Sequence, residues 1–187
     1  MFKIVEFSHL IIKEYIKNST LSYIRCLDAT CGMGNDTIYM ANLLKDNGHV
    51  DSYDIQEVAI KATKEKIDNL NIKNVSLFHK SHEEIDASLY DLAIFNLGYL
   101  PTCDKNITTK KETTMIALEK LINEIDNNEN LLIIICLYPG HSEGKIESDY
   151  IDNYVYNLSS KKYLVTKYLN YNRPSSPYII TISKTKM

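Results

Sequence analysis

The sequence predicts an α/β protein built on one seven-stranded, mostly parallel sheet with helices on both faces. Three observations predict it. Short runs rich in Ile, Leu and Val alternate with longer segments of helical periodicity through most of the 187 residues. The last two apolar runs have no helix between them, so an adjacent strand pair follows five strand–helix units. Glycine-bearing and polar strings fall just after the apolar runs, at the strand ends where such a sheet places its ligand.

Residues 4–17 have the apolar spacing of a leading helix, and Tyr23–Ala29 reads as the first strand. Asn35 or Asp36 can cap a helix reaching about Lys45. His49–Asp54 is a second strand, Glu57–Leu70 a second helix and Val75–His79 a third strand, followed by a helical turn over His82–Leu89. Asp91–Asn96 is a fourth strand, Gly98–Thr109 a loop, Lys110–Asp126 a helix and Leu131–Tyr138 a fifth strand. Ser142–Leu158 is a helix that tolerates Gly144 in its first turn. Tyr163–Asn170 and Tyr178–Ser183 are the closing strands, joined by Asn172-Arg173-Pro174-Ser175-Ser176-Pro177, which has turn chemistry. This order is Rossmann-like. It reads as a single domain over residues 1–187, with the leading helix within 1–20 and the closing pair within 160–187.

The length suits one domain with a real core. The longest apolar run, Leu131–Leu137, is far shorter than the roughly 20 residues that span a bilayer. The start of the chain lacks a basic region followed by an apolar stretch and a cleavage site, so a cytoplasmic protein is expected. Cys26, Cys31, Cys103 and Cys136 form no CxxC pair, and reduced thiols are expected. Cys26 and Cys136 sit in strand-like runs as packing residues, Cys103 lies in a loop, and no His/Cys cluster has metal-ligand spacing.

Net charge is −3, but it is unevenly spread. From Asn153 onward there is no acidic residue, against six basic ones: Lys161, Lys162, Lys167, Arg173, Lys184 and Lys186. The preceding residues hold 15 basic and 24 acidic side chains, a net of −9. The tail also carries Tyr154, Tyr156, Tyr163, Tyr168, Tyr171 and Tyr178. Such a mixture can hold phosphates and stack bases, or it can be a solvated strand face with Tyr half packed.

The first strand runs into Asp28-Ala29-Thr30-Cys31-Gly32-Met33-Gly34-Asn35-Asp36-Thr37. Gly32 and Gly34 let the backbone pass close to a ligand, and the helix start offers free N–H groups. The candidate contacts here are Asp28, Thr30, Gly32, Gly34, Asn35, Asp36 and Thr37. A dinucleotide fingerprint would carry a third Gly where Thr37 stands. The Asp28 carboxylate would repel a pyrophosphate but can accept a hydrogen bond from an amino-acid ammonium or a water. Asp54 ends the second strand, 20 residues after Gly34, where a carboxylate can accept both hydroxyls of a ribose or cap the next helix. Ile55 can pack on an adenine face and Gln56 follows it. Ser81 and His82 either meet the adenine edge or simply begin a helical turn.

Asn96-Leu97-Gly98-Tyr99 ends the fourth strand. Methyl transfer to nitrogen needs a free lone pair in line with the methyl–sulfur bond. The Asn96 amide oxygen and the next backbone carbonyl can accept an amine's hydrogens and orient that lone pair, and Tyr99 can stack on a base. Asp104 and His141 lie in two rim loops, Asp104 as a candidate ammonium ligand or proton acceptor and His141 as a candidate proton acceptor. The bland reading of each is a polar surface turn. A small-amine methyltransferase, a binding module and a nucleotide-dependent oxidoreductase stay open, although Thr37, Asp28 and Asn96-Leu97-Gly98-Tyr99 argue against the last two.

The strings D-A-T-C-G-M-G-N-D, Y-D-I-Q, F-H-K-S-H, F-N-L-G-Y-L-P, D-K-N-I-T-T and G-H-S-E-G-K, in order from Asp28 to Lys145, resemble a bacterial class I methyltransferase family long labelled rRNA methylase. That family is similar to the tRNA methyltransferases that complete 5-methylaminomethyl-(2-thio)uridine at the wobble position. The resemblance implies S-adenosyl-L-methionine as donor, the anticodon region of tRNA as substrate partner and a homodimer. It carries over Asp28, Gly32, Gly34, Asp54, Gln56, Ser81, His82, Asn96, Gly98, Tyr99, Asp104 and His141. The sequence departs from the family at Thr102-Cys103, where two glycines are usual, and at Pro139, where a His is usual.

Overall fold

The computed structural model describes residues 3–98, 111–173 and 175–185. The elements run α1 (Ile4–Asn18), β1 (Ile24–Asp28), α2 (Asn35–Leu44), β2 (Gly48–Asp54), α3 (Glu57–Asn69), β3 (Val75–His79), β4 (Leu92–Asn96), α4 (Lys111–Glu124), β5 (Leu132–Leu137), α5 (Ser142–Tyr156), β6 (Tyr163–Tyr168) and β7 (Tyr178–Lys184). The expected helical turn after β3 is two 3-10 turns, His82–Glu84 and Ala87–Leu89. The loop expected over Gly98–Thr109 lies outside the described residues from position 99 onward.

The seven strands form one sheet in the order β3-β2-β1-β4-β5-β7-β6. β1 to β5 pair in parallel, and β7 enters antiparallel between β5 and β6. The fold class expected from the sequence is the one observed. Chain order reverses between β1 and β4, so their carboxyl ends leave a crevice between the loops that follow them.

A strand covered on both faces has no solvent side and reads as an unbroken apolar run. β5 shows this clearly. Ile133, Ile135 and Leu137 pack into the core beneath α4 and α5, while Ile134 and Cys136 pack into the opposite core with residues of α1 and α2. Cys26 is fully buried in the second core, as expected of a packing residue. α1 is held there by fully buried Ile12, and the Tyr15 hydroxyl reaches the carbonyls of Asp91 (3.0 Å) and Asn130 (2.8 Å) at the amino-terminal edge of the sheet.

Two glycines differ from their sequence reading. Neither Asn35 nor Asp36 caps α2: Gly34 does, at φ +75°, a left-handed conformation that disfavours any side chain. A Cβ there would lie 2.5 Å from the Thr63 methyl group of α3, so Gly34 also lets α3 pack against the turn. Gly144 is required rather than tolerated, because a Cβ would collide with the Tyr138 carbonyl and crowd the His141 ring.

Candidate active site

A cavity of about 810 Å³ opens at the carboxyl ends of the strands. Among the residues expected at a cofactor site, Thr30, Gly32, Asn35 and Asp36 line it from the first turn, and Asp54, Ile55 and Gln56 from the end of β2. Ser81 and His82 line it beyond β3, Asn96 and Gly98 beyond β4, and His141 beyond β5. Tyr99 and Asp104 lie outside the described residues.

Asp28, Gly34 and Thr37 do not reach the cavity wall; they build the turn beneath it. Asp28 is fully buried. The Thr37 hydroxyl donates to its carboxylate at 2.6 Å, and the Thr30 N–H does so at 3.2 Å. The hydroxyls of Thr37 and Ser52 share a further hydrogen bond of 2.8 Å. Burial foremost, and then the negative charge of Asp36, push the Asp28 pKa well above the usual carboxylate range, against the lowering effect of these bonds. Thr37 therefore stands where a dinucleotide site would carry glycine because its hydroxyl satisfies a buried carboxylate. Asp28 and Thr37 thus support the turn beneath the cavity wall.

Asp54 ties the second strand to the glycine turn. Its carboxylate accepts from the Gly32 N–H at 2.8 Å and from the Gln56 N–H at 2.9 Å, while the side chain remains on the cavity wall. Ile55 beside it is about half exposed (55%), an apolar face left open in the cavity. Tyr53 stacks on Phe78 with ring centroids 4.6 Å apart and closes the wall behind.

His82 has a defined protonation pattern. Its Nδ1 lies 3.0 Å from the Ala29 carbonyl oxygen, so Nδ1 carries the proton and donates. Nε2 is then an acceptor, and it is buried without a hydrogen-bond partner. Burial lowers the ring's pKa, outweighing the bond to Ala29 and the charges of Glu83 and Asp54, which raise it. Because the native ring resists protonation, the unfolded chain binds the extra proton as pH falls below about 6.5. Melting temperatures from about pH 7.5 to about pH 5.5 should therefore fall more steeply in the wild type than in His82→Gln. Parallel curves would show that the ring does not resist protonation in the native state.

Asn96 is held from three sides. Thr30 Oγ1 accepts from its backbone N–H at 2.8 Å, and the following Leu97 N–H donates to the Cys136 carbonyl at 3.0 Å. The side-chain Nδ2 donates to Asp36 Oδ2 at 3.0 Å. Asp36 Oδ1 in turn lies 2.6 Å from His9 Nε2. The His141 ring caps α5, its Nδ1 accepting from the Gly144 N–H at 3.1 Å.

Sequence reasoning missed several wall residues. Val5 comes from α1, and Ser175 and Pro177 from the β6–β7 connection. Tyr138 was read only as the last residue of the fifth strand, but it lines the cavity facing Gly98, where an added Cβ would sit 3.9 Å from the ring. Burial, with smaller contributions from Cys136 and Asp36, raises its hydroxyl's pKa and keeps the ring neutral. Only its place after an apolar strand could have marked it.

The tail is less basic in the fold than in the sequence. Lys162 and Lys184 both pair with Asp126, at 3.1 and 3.0 Å, and Lys167 pairs with Asp152 at 2.6 Å. Tyr178 is buried and Tyr168 packs edge-on against Phe7, while Tyr156 and Tyr171 are 85% and 96% exposed. Among the described residues no group of three or more His, Cys, Asp or Glu is placed to hold a metal, and no helix is long and apolar enough to cross a membrane.

The cavity fits S-adenosyl-L-methionine on the structure's own terms. The Asp54 carboxylate suits a vicinal diol, Ile55 an aromatic ring face, and the orphaned Nε2 of His82 an exocyclic amine.

Comparison with known proteins agrees with this cofactor. A crystal structure of a putative rRNA-methylase from Clostridium thermocellum superposes with a TM-score of 0.86 at 31% identity, covering 99% of both chains. A putative methyltransferase from Streptococcus mutans, solved in complex with SAH, gives 0.80 at 28% identity, again over 99% of each. The chloroplastic tRNA (mnm(5)s(2)U34)-methyltransferase of Arabidopsis thaliana is 29% identical over 97% of this chain and 69% of its own length. The family described as "Putative rRNA methylase" matches residues 50–184, and the chain belongs to that family.

Proposed function

We propose that this protein is an S-adenosyl-L-methionine-dependent N-methyltransferase that converts the 5-aminomethyl group of a wobble (2-thio)uridine in tRNA to 5-methylaminomethyl. The observation that carries the reading is the Asn96 amide on the wall of a cofactor-sized cavity, with its Nδ2 committed to Asp36. The name of the Arabidopsis relative points to the same acceptor.

When bound, S-adenosyl-L-methionine supplies an electrophilic methyl group on a cationic sulfur. The chain's own part is to bind, orient and stabilise charge. Asp54, Ile55 and His82 would hold the nucleoside end. Asn96 Oδ1 would accept a hydrogen from the neutral amine and turn its lone pair toward the methyl. Positive charge would develop on the amine nitrogen as it takes the methyl and the sulfur keeps the C–S bonding pair, and the Asp36 carboxylate, one hydrogen bond behind Asn96, would favour it. The new ammonium would then release its proton to solvent water. Tyr138 offers an aromatic face beside Gly98 for the base.

The test is methyl transfer from labelled S-adenosyl-L-methionine to bulk tRNA from a strain lacking the gene, read by nucleoside mass spectrometry. A methyl gained on 5-aminomethyl-uridine is expected. Binding of the cofactor without transfer to tRNA would move the acceptor to another RNA base, such as one in rRNA, or to a small amine.

A further inference from the structure

An asparagine is an ambiguous tool at an amine site. Rotating its amide by half a turn exchanges a carbonyl oxygen for an NH2 group of almost the same shape. With the oxygen facing the amine, the amine's lone pair stays free. With the NH2 facing it, the amide donates into that lone pair and competes with the methyl. The chemistry therefore needs something that decides which way Asn96 points.

We propose that Asp36 and His9 form a positioning pair that locks the Asn96 amide with Oδ1 toward the acceptor amine. The inference rests on the amine-orienting role of Asn96 proposed above. An ionised carboxylate only accepts, so Asp36 Oδ2, 3.0 Å from the Asn96 side-chain nitrogen, tolerates the NH2 group and rejects the oxygen. The carboxylate is itself kept from turning. Its other oxygen lies 2.6 Å from His9 Nε2, which must carry a proton to face it.

His9 is fixed in turn. Its ring stacks on Tyr39 at 3.9 Å with planes 7° apart, and the Tyr39 hydroxyl donates to the His9 carbonyl at 3.0 Å. Asp36 is nearly buried, its side chain 6% exposed. A buried carboxylate without such partners would be costly to hold charged. The chain of contacts thus runs from α1 through the first turn of α2 to the end of β4. α1, which brings His9, is thereby a working part of the site.

The decisive experiment compares Asp36→Asn, His9→Ala and His9→Gln with the wild type and with Asn96→Ala, in single-turnover assays and in cofactor titrations by calorimetry. Asp36→Asn presents an amide that suits either orientation, so its rate should fall by about 10- to 100-fold with cofactor affinity nearly unchanged. His9→Ala should fall in the same direction, and His9→Gln, which keeps a donor, should recover part of the loss. Placed in the Asn96→Ala background, Asp36→Asn should cost less than about twofold more, because its effect passes through the missing amide. A purely structural role would add in full and would not be rescued.

A spectroscopic reading needs no substrate. The Asn96 side-chain NH2 pair, identified in a 15N-edited spectrum by its loss in Asn96→Ala, should shift in Asp36→Asn and His9→Ala. An unmoved pair, or normal rates for Asp36→Asn and His9→Ala beside a crippled Asn96→Ala, would overturn this proposal alone. Normal rates for Asn96→Ala would instead sink the function proposed for Asn96.

Discussion

Asn96→Ala should lower methyl transfer by about 100- to 1000-fold, the scale of removing one preorganised hydrogen-bonding group from a reacting centre. Affinity for S-adenosyl-L-methionine should stay within about twofold. The separation follows from geometry. The three features suited to the nucleoside end, Asp54, Ile55 and His82, belong to the ends of β2 and β3, whereas Asn96 ends β4. The backbone of Asn96 is held by Thr30 independently of its side chain, and Leu97 stays bonded to Cys136, so truncation leaves the loop root in place. What disappears is the group that orients the amine, together with a partner of Asp36. Single-turnover rates and calorimetry on the same preparation make the check. A variant of normal rate would remove the assigned role, and one that loses cofactor affinity in step would make Asn96 a binding residue.

How far the sequence revealed this site depends on the range of the interactions involved. The sheet was legible chiefly because burial on both faces leaves its central strands β4 and β5 as apolar runs, and β5 is the plainest case, whereas β2 buries the polar Asp51 and Ser52. The place of Asn96 was legible for the same reason, as the polar residue that closes the apolar run of β4, while Asp54 was legible from its spacing after the glycine turn. Thr37 was not legible. Its departure from a glycine pattern was visible, but its bond to Asp28 depends on the path of the turn between them. His9 left no local mark either, because its partner is 27 residues away and an amphipathic helix carries polar residues as a matter of course. The sign of the tail's charge was legible while its pairing was not, since Asp126 and Asp152 arrive from other elements. Exposed pairs of this kind contribute little stability, but they reduce the free positive surface on offer to RNA.

Asp54→Ala should weaken S-adenosyl-L-methionine binding by about 1–3 kcal/mol, the scale of leaving polar partners unpaired, or about 5- to 150-fold in Kd. Two losses combine. The diol of a ribose loses a carboxylate that can accept from both hydroxyls, and the N–H groups of Gly32 and Gln56 lose the acceptor that joins the glycine turn to the end of β2. Asp54→Asn halves both. Its amide oxygen can still accept from one of the two backbone N–H groups, Gly32 or Gln56, while its NH2 faces the other, and it offers a diol one acceptor where the carboxylate offers two. Calorimetry should therefore rank wild type above Asp54→Asn, and Asp54→Asn above Asp54→Ala. At saturating cofactor both variants should recover most of the wild-type rate, the reverse of the pattern expected for Asn96→Ala. An unchanged Kd for Asp54→Ala would withdraw the ribose assignment. Equal losses in the two variants would show that the affinity needs both carboxylate oxygens.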